Sequence, residues 1–323
     1  MNAIVTKDLT KQFDGLVAVN SVRLEIRRGE VFGLLGPNGA GKTTMISMLC
    51  TMLKPSSGTA EVNGHDIVKQ PNDVRKSIGI VFQDPSLDDR LTGRENLEMH
   101  AMLYGLKKSV REKRIEEVLE LVELRDRAKD LVRTYSGGMR RRLEIARGLI
   151  HYPVILFLDE PTLGLDPQTR KHIWDYIKDL AKREHITVVL TTHYMEEAEL
   201  LCDRIAIIDH GEIISLDTPE HLKESIGGDS IVLTVSDVKK AKEAFPSAKE
   251  FDGKIALAVK NAEKEIGKVF TTAERAGVEI LEANIRKPTL NDVFLHLTGR
   301  EIREEKLDGK EAMRNHMKRH GGM

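Results

Sequence analysis

The stretch Gly36-Pro37-Asn38-Gly39-Ala40-Gly41-Lys42-Thr43 carries the spacing G-x-x-x-x-G-K-[ST]. Glycines at these offsets let a backbone fold tightly and turn its N–H groups inward around an anion. Lys42 is then placed for β- and γ-phosphate oxygens, and the Thr43 hydroxyl for a Mg²⁺ ion. A glycine-rich turn with no ligand could share the pattern, so the flanks matter. Before it, Val31-Phe32-Gly33-Leu34-Leu35 is an apolar run of strand length. After it, Met45, Ile46, Met48, Leu49, Met52 and Leu53 recur at helical spacing until Lys54-Pro55. A loop between strand and helix also receives the dipole of the helix N-terminus. Nucleotide binding through the phosphates is the chemistry expected here.

A second cluster ends another apolar run. Pro153 to Leu158 reads as a buried strand leading into Asp159-Glu160-Pro161. Two acids then lie at the carboxyl end of a strand, the edge where open α/β sheets bind ligands. Asp159 suits a Mg²⁺ shell; Glu160 suits general-base work or orientation of an attacking water. Two acids can also simply solvate a strand end, but beside a phosphate loop the chemical reading is favoured. Ser136-Gly137-Gly138 precedes a further helix. Serine is a good N-cap, and paired glycines leave N–H groups open to an anion. Spacing does not separate that from an ordinary capped helix. Phe13, before the Asp14-Gly15 turn, reads either as a half-buried strand aromatic or as a stacking face for adenine. Gln83 and His193 both stand at strand ends. Arg140, Arg141 and Arg142 read as the solvated face of the Ser136 helix rather than as a nucleic-acid patch.

The elements that must position these residues follow in order. From Ile4 to about Val81 the chain reads as short strands, with Val22, Leu24 and Ile26 alternating against Arg23 and Glu25. From Pro85 to Thr134 the period is helical, marked by Leu97 and Ala101 and then by Ile115, Val118, Leu119 and Val122. Asp166-Pro167 has the cap chemistry of a helix start. Ile186 to Leu190 is a strand ending in Thr191-Thr192-His193, and Ile205 to Ile208 and Glu212 to Ser215 flank the His210-Gly211 turn. After Gly227-Gly228-Asp229 the pattern restarts. Strands at Ile231 to Val235, Ile255 to Val259 and Val278 to Ala283 alternate with helices at Val238 to Ala244, Ala262 to Ala276 and Leu290 to Leu297. The expected organisation is a nucleotide-binding unit over 1–226, with a helical subdomain at about 85–135. A small α/β unit over 229–299 and a charged, flexible tail over 300–323 complete it.

Composition narrows the function classes. Lys+Arg is 50 against Asp+Glu 51, a formal net charge of -1, which gives no global pull toward nucleic acid. Aromatics are 4%, too few for a single-strand stacking platform. Cys50 and Cys202 form no C-x-x-C pair and suggest a reducing compartment. No apolar run approaches the length of a membrane span, and Met1 to Asp8 lacks a signal-peptide pattern. A soluble chain is expected, reaching a membrane only through a partner.

The ordered set Phe13, GPNGAGKT at Gly36 to Thr43, Gln83, SGGM at Ser136 to Met139, LFLDEP at Leu156 to Pro161, GLD at Gly164 to Asp166, and His193 resembles the ATP-binding-cassette (ABC) ATPase family, over roughly residues 3 to 225. Ile80 to Asp88 and Phe294 to Arg300 resemble the separate ATPase subunits of daunorubicin- and multidrug-exporter-type transporters. The resemblance implies a P-loop α/β fold with a mixed β subdomain, a recombinase-like α/β core and a helical subdomain. It implies ATP and Mg²⁺ as ligands and ATP hydrolysis as the reaction. Phe13 takes the adenine-stacking place, and Gly36, Pro37, Asn38, Gly39, Ala40, Gly41, Lys42, Thr43 and Thr44 hold the phosphates. Gln83 reaches Mg²⁺ and the attacking water, Asp159 supports the metal with Thr43, Glu160 is the base, and His193 contacts the γ-phosphate. Asp166 lies on a subunit contact. Ser136, Gly137 and Gly138 serve the ATP of a second copy, so that two chains sandwich two nucleotides head to tail. Partners implied are that second copy and a separately encoded membrane permease, which holds the chain at the cytoplasmic face of the membrane. The expected cargo is a drug-like or lipophilic compound moving outward. Tyr135 stands where leucine is usual and Met139 where glutamine is usual.

A soluble ABC ATPase acting on nucleic acid or the ribosome is the alternative. Chromosome ATPases of that kind insert a long coiled coil between glutamine loop and signature, whereas here Ser136 lies 53 residues after Gln83. Translation-type relatives carry two cassettes in one chain. A P-loop kinase or GTPase leaves Ser136 and His193 unexplained. No nucleic-acid partner is expected.

Overall fold

The computed structural model describes residues 1–84, 86–251, 254–259 and 261–298. Pro85 and the tail over 300–323 lie outside the described residues. Two long strands open the chain, β1 (Asn2–Phe13) and β2 (Leu16–Arg27). Asp14 and Gly15 join them at φ 39 and 89, the left-handed pair that a tight hairpin needs. Along β2, Val22, Leu24 and Ile26 are buried while Arg23 and Glu25 face out. β3 (Val31–Leu35) follows, buried throughout, and after a loop comes α1 (Lys42–Leu49). This helix stops before Met52 and Leu53, which the apolar spacing had placed in it. Thr51 turns left-handed at φ 63, and the N–H groups of Met52 and Leu53 both fold back on the Ser47 carbonyl. That turn ends the helix ahead of Pro55.

β4 (Ser57–Val62) and β5 (His65–Asp66) complete a first sheet of order β2-β1-β4-β5. A helix interrupts the expected run of strands here, α2 (Pro71–Ser77). It buries only Val74, so it leaves no apolar period to read. β6 (Ile78–Val81) ends just before Gln83. α3 (Gly93–Leu103), opened by a Thr92–Glu95 capping box, and α4 (Lys108–Leu121) form the helical layer. α5 (Gly137–Leu149) is capped by Ser136, whose hydroxyl accepts from the Met139 N–H at 3.3 Å. β7 (Ile155–Asp159), α6 (Pro167–Glu184), β8 (Thr187–Thr192), α7 (Met195–Leu201), β9 (Arg204–Asp209), β10 (Glu212–Asp217) and α8 (Pro219–Glu224) follow.

The second sheet has the order β10-β9-β3-β8-β7-β6. The strands from β9 to β6 run parallel, and β10 is antiparallel at the edge. Alternate residues feed two cores, as a sheet covered on both faces requires. Phe32, Ile155 and Phe157 pack toward α1 and the first sheet; Leu35, Leu156 and Leu158 pack toward α5 and α6. The carboxyl ends of β3, β6, β7 and β8 therefore share one edge, and with them the residues read as chemical.

The last part comprises β11 (Asp229–Val235), α9 (Val238–Ala244), β12 (Lys249–Phe251), β13 (Lys254–Val259), α10 (Ala262–Arg275), β14 (Ile280–Arg286) and α11 (Leu290–Thr298). Its sheet is antiparallel, of order β12-β13-β11-β14. Ile231, Leu233 and Ile255 on its inner face pack with Ala241, Val269 and Ala273 of α9 and α10. α11 leaves this sheet. Its Leu290, Val293 and Phe294 are fully buried in the same core as Ala198 and Leu201 of α7 and Leu222 of α8.

Candidate nucleotide-binding site

The loop from Gly36 to Gly41 is shaped by glycine for two different reasons. Gly39 and Gly41 take φ 79 and 103, which L side chains rarely adopt. Gly36 has no room: a Cβ there would lie 2.2 Å from the Ile208 carbonyl oxygen. Among the described residues, the N–H groups of Gly39, Gly41, Lys42, Thr43 and Thr44 meet no backbone acceptor. A row of unpaired donors at a helix N-terminus is an anion cradle.

Lys42 is buried and folds back over the loop. Its ammonium donates to the carbonyls of Gly36 at 2.7 Å and Pro37 at 3.0 Å, and lies 3.5 Å from Glu160 Oε1. Burial pushes its pKa down, against the pull of Glu160 and Asp159. An anion in the cradle would add negative charge beside this buried cation and offset its desolvation further. The Thr43 hydroxyl donates to Asp159 Oδ1 at 3.3 Å, and the Thr191 hydroxyl to the same oxygen at 2.5 Å. Among the described residues no three His, Cys, Asp or Glu side chains are grouped to cage a metal. A hydroxyl and one carboxylate beside a phosphate cradle suit Mg²⁺, which keeps waters and takes phosphate oxygens as ligands. The residues present thus fit a magnesium nucleotide.

Glu160 adopts φ 47, unusual for a residue other than glycine. Its N–H is held by the Thr191 carbonyl at 3.2 Å and hydroxyl at 3.0 Å. Its carboxylate lies between Lys42 and His193, whose Nδ1 is 2.7 Å from Oε2. Phe13, Asn38, Gly39, Lys42, Thr43, Thr44, Gln83, Glu160 and His193 line one cleft of about 720 Å³. Phe13 stands at its rim, 40% exposed, with the Lys11 ammonium 4.9 Å from the ring centroid.

Ser136 and Gly138 do not line this cleft. They border a separate hollow between α5 and α6, with Thr169 and Tyr176. One chain thus holds the phosphate cradle and the Ser136 motif at two different places. Tyr135 is buried and its hydroxyl donates to the Arg127 carbonyl at 2.6 Å, so it fills the core with its polar tip satisfied. Asp166 caps α6, its carboxylate accepting from the Thr169 N–H at 3.0 Å.

Reading the three arginines as one solvated face is wrong for Arg141. It is buried, and its guanidinium reaches the carbonyls of Phe82, Asp159, Glu160 and Pro161. Helical spacing carried the signal, since Arg141 shares the face of Ile145 and Gly148. Arg140 and Arg142 are half-buried, paired with Asp89 and Glu123. Sequence reasoning also passed over Arg170 and Tyr194 in the cleft wall, stacked 3.9 Å apart. Thr191 as the anchor of both acids was equally unforeseen, although the Thr191-Thr192-His193 strand end pointed there.

Residues 19–163 match the family model described as ABC transporter. Residues 218–298 match that of ATP-binding protein DrrA1-3-like, C-terminal domain. The chain is 40% identical to the daunorubicin resistance ATP-binding protein DrrA3 of Streptomyces coeruleorubidus, over 92% of this chain and 96% of that one. It is 40% identical to the linearmycin resistance ATP-binding protein LnrL of Bacillus subtilis (strain 168), over 92% and 99%. It is 38% identical to the Nod factor export ATP-binding protein I of Cupriavidus pinatubonensis, over 92% and 91%. Among solved structures, cbiO1 of Clostridium perfringens, part of the ABC transporter complex cbiONQ, superposes with a TM-score of 0.65 at 28% identity, covering 76% of this chain and 96% of that one. A dimeric ATP-binding cassette in a post-hydrolysis state bound to ADP and Pi gives 0.59 at 30% identity, over 67% and 98%.

Proposed function

The chain belongs to the ABC transporter family, as an ATP-binding subunit of the drug-resistance and export type, and from that premise we propose how its site works and what it serves. It binds ATP, and ATP hydrolysis energising export is its activity. The observation that carries the catalytic reading is the Glu160 carboxylate, held between the Lys42 ammonium and the His193 ring at the mouth of the phosphate loop.

In this reading the loop N–H groups and Lys42 bind the β- and γ-phosphates, and Phe13 stacks on the adenine. Thr43, Asp159 and Gln83 would hold Mg²⁺, which would neutralise phosphate charge. Glu160 orients a water and takes its proton as the oxygen attacks the γ-phosphorus and ADP leaves. His193 holds the γ-phosphate side of the cleft. Ser136, Gly137 and Gly138 complete the site of a second copy, which accounts for their separation from the cleft of their own chain. Donors from two rigid halves then converge on the charge only in the ATP-bound pair.

We assign residues 1–226 to the nucleotide-binding unit and 229–299 to an accessory unit whose last helix returns to α7 and α8. Among the described residues no helix is long and apolar enough to cross a membrane. In this reading a separately encoded permease forms the path, with this chain on its cytoplasmic side and a drug-like or lipophilic compound as cargo; the similarity to resistance and export ATP-binding proteins supports it. Two measurements test the reading: Mg²⁺-dependent phosphate release by the purified chain, and the identity of the membrane protein that co-purifies with it. No phosphate release with Mg²⁺, or a nucleic acid in place of a membrane partner, would overturn it.

A further inference from the structure

Arg141 is the buried cation that the proposed mechanism leaves without a task. Its Nε donates to the Pro161 carbonyl at 2.7 Å. Nη1 donates to the Phe82 carbonyl at 2.7 Å and to Glu144 Oε2 at 2.8 Å. Nη2 donates to the carbonyls of Asp159 at 3.1 Å and Glu160 at 3.3 Å. A guanidinium has five N–H donors in a fixed planar fork, and here each one has an acceptor. The acceptors belong to three segments: the end of β6 next to Gln83, the end of β7 around Glu160, and α5 itself.

Glu144 is buried as well and extends the contact. Its second oxygen, Oε1, accepts from the Ser86 N–H at 3.1 Å. Arg147, one turn further along α5, reaches the Ser86 carbonyl at 3.4 Å and also bonds its hydroxyl. The loop that carries Gln83 is thus tied to α5 on both sides: at the peptide preceding Gln83 through Arg141, and at Ser86 through Glu144 and Arg147.

The grip on β7 falls at a demanding place. Glu160 has φ 47, so its backbone stays put only while its surroundings hold it. Thr191 holds the N–H side. Arg141 holds the carbonyl side and the peptide before it. Among the side-chain hydrogen bonds of the described residues, no other side chain reaches both the Phe82 carbonyl and the Glu160 turn.

We propose that the buried Arg141–Glu144 pair is a positioning clamp for ATP hydrolysis, setting Glu160 and Gln83 in one frame and making the geometry of the base answer to the positions of Phe82 and Ser86 on either side of Gln83. Arg141 touches no substrate; it acts through the backbone of Glu160. The proposal rests on the assignment of Glu160 as the base.

The test uses the full chain and Arg141→Lys. Lysine keeps a positive charge beside Glu144, but a point ammonium with three donors cannot span the four carbonyls. The expected result is a kcat lowered by about tenfold to a hundredfold, the scale of a small misplacement of a reacting group. KM for magnesium ATP should stay within about twofold, because ground-state binding is not involved. ATP-binding stoichiometry and ATP-dependent dimer formation should be retained, which separates misplacement from a loss of folded protein. In a Glu160→Gln background the same substitution should lower the residual single-turnover rate by less than about twofold, since both changes act on one step. If Arg141→Lys does not fold, the double variant Arg141→Gln with Glu144→Ala removes the clamp without leaving a buried unpaired charge, and the same criteria apply. The clamp is overturned by near-normal kcat, by a loss of ATP binding in proportion to turnover, or by an undiminished loss in the Glu160→Gln background. Normal turnover in Glu160→Gln alone would instead overturn the base assignment and this role for Arg141 with it. Slow Glu160→Gln beside unimpaired Arg141→Lys would overturn the clamp alone.

Discussion

His193 Nδ1 lies 2.7 Å from Glu160 Oε2, while the other oxygen of the same carboxylate faces Lys42 at 3.5 Å. Burial works to raise the Glu160 pKa. The His193 ring and the Lys42 ammonium outweigh it, and the carboxyl is held below its ordinary value of 4.5. The role of base proposed for Glu160 would use this state, a carboxylate ionised at neutral pH. Removing the ring should shift the balance back toward burial. His193→Ala is therefore expected to move the acid limb of the kcat/KM profile to higher pH. The stability effect has the same sign. A depressed carboxyl pKa stabilises the fold fully above the unfolded value and loses that contribution as pH falls through the folded value. The pH–rate profile and the pH dependence of Tm for both proteins check this. A variant with a lower plateau but an unmoved acid limb would show that His193 does not tune Glu160.

Lys42 is the next test. Its ammonium donates to two loop carbonyls and faces Glu160, which leaves it beside the row of free loop N–H groups where a phosphate would lie. Lys42→Ala should weaken nucleotide binding by about 1.5–3 kcal/mol, the range for a hydrogen bond to a charged group, or roughly tenfold or more in Kd. Turnover should fall with it. Calorimetric titration with ATP and Mg²⁺ gives the first number and phosphate release the second. Equal affinity in the variant would remove Lys42 from the phosphate site.

Glu160→Gln separates binding from chemistry. The amide keeps the shape but cannot take the proton of the water. Hydrolysis should slow by at least about a hundredfold, the lower range for a general base. ATP affinity should survive, and the uncleaved nucleotide should hold two chains together. Size-exclusion chromatography with ATP and Mg²⁺ reads the dimer directly. Turnover at the parental rate would place the base elsewhere.

The meeting of the candidate site residues at one edge was legible in the sequence because they are short, polar and fixed to strand ends. Gln83, Asp159, Glu160 and His193 each follow an apolar run, and a parallel sheet brings such ends to one edge. The burial of Arg141 was legible in its helical phase with Ile145 and Gly148, but its task was not, because only the fold supplies its four carbonyl acceptors. The end of α1 was misjudged for a local reason. Met52 and Leu53 are apolar and in phase, but the left-handed Thr51 has no marker as strong as proline or glycine. α2 was invisible because it buries a single residue. The packing of α11 on α7 was also beyond reach, since amphipathic spacing says that Leu290, Val293 and Phe294 share a face but not which partner covers it.

That packing carries its own expectation. Phe294 is fully buried against α7 and α8, and α7 starts two residues after His193. Phe294→Ala should destabilise the chain by about 3–5 kcal/mol, the loss for a buried phenylalanine whose cavity does not collapse. Urea unfolding monitored through Trp174, itself buried in this core, measures it. A loss below about 1 kcal/mol, as for an exposed site, would mean that α11 is detached in solution.

The last prediction tests whether Ser136 serves the nucleotide of another chain. Ser136 and Gly138 border a hollow distinct from the phosphate cleft of their own chain. Take one chain with Ser136→Arg and another with Lys42→Ala, each nearly inactive alone. In a head-to-tail pair each composite site joins the phosphate loop of one chain to the Ser136 motif of the other. In the mixed pair both lesions then fall on the same site: Ser136→Arg faces the phosphate loop that already lacks Lys42. The other site keeps an intact loop and an intact motif. Mixing should restore ATPase activity, with about half of the pairs mixed if association is random. If Ser136 acted on the nucleotide of its own chain, every site would carry one lesion and mixing would restore nothing. Hydrolysis could require two intact sites, so ATP-dependent dimer formation by the mixture is measured alongside phosphate release. A mixture that neither hydrolyses ATP nor dimerises would rule out the head-to-tail arrangement.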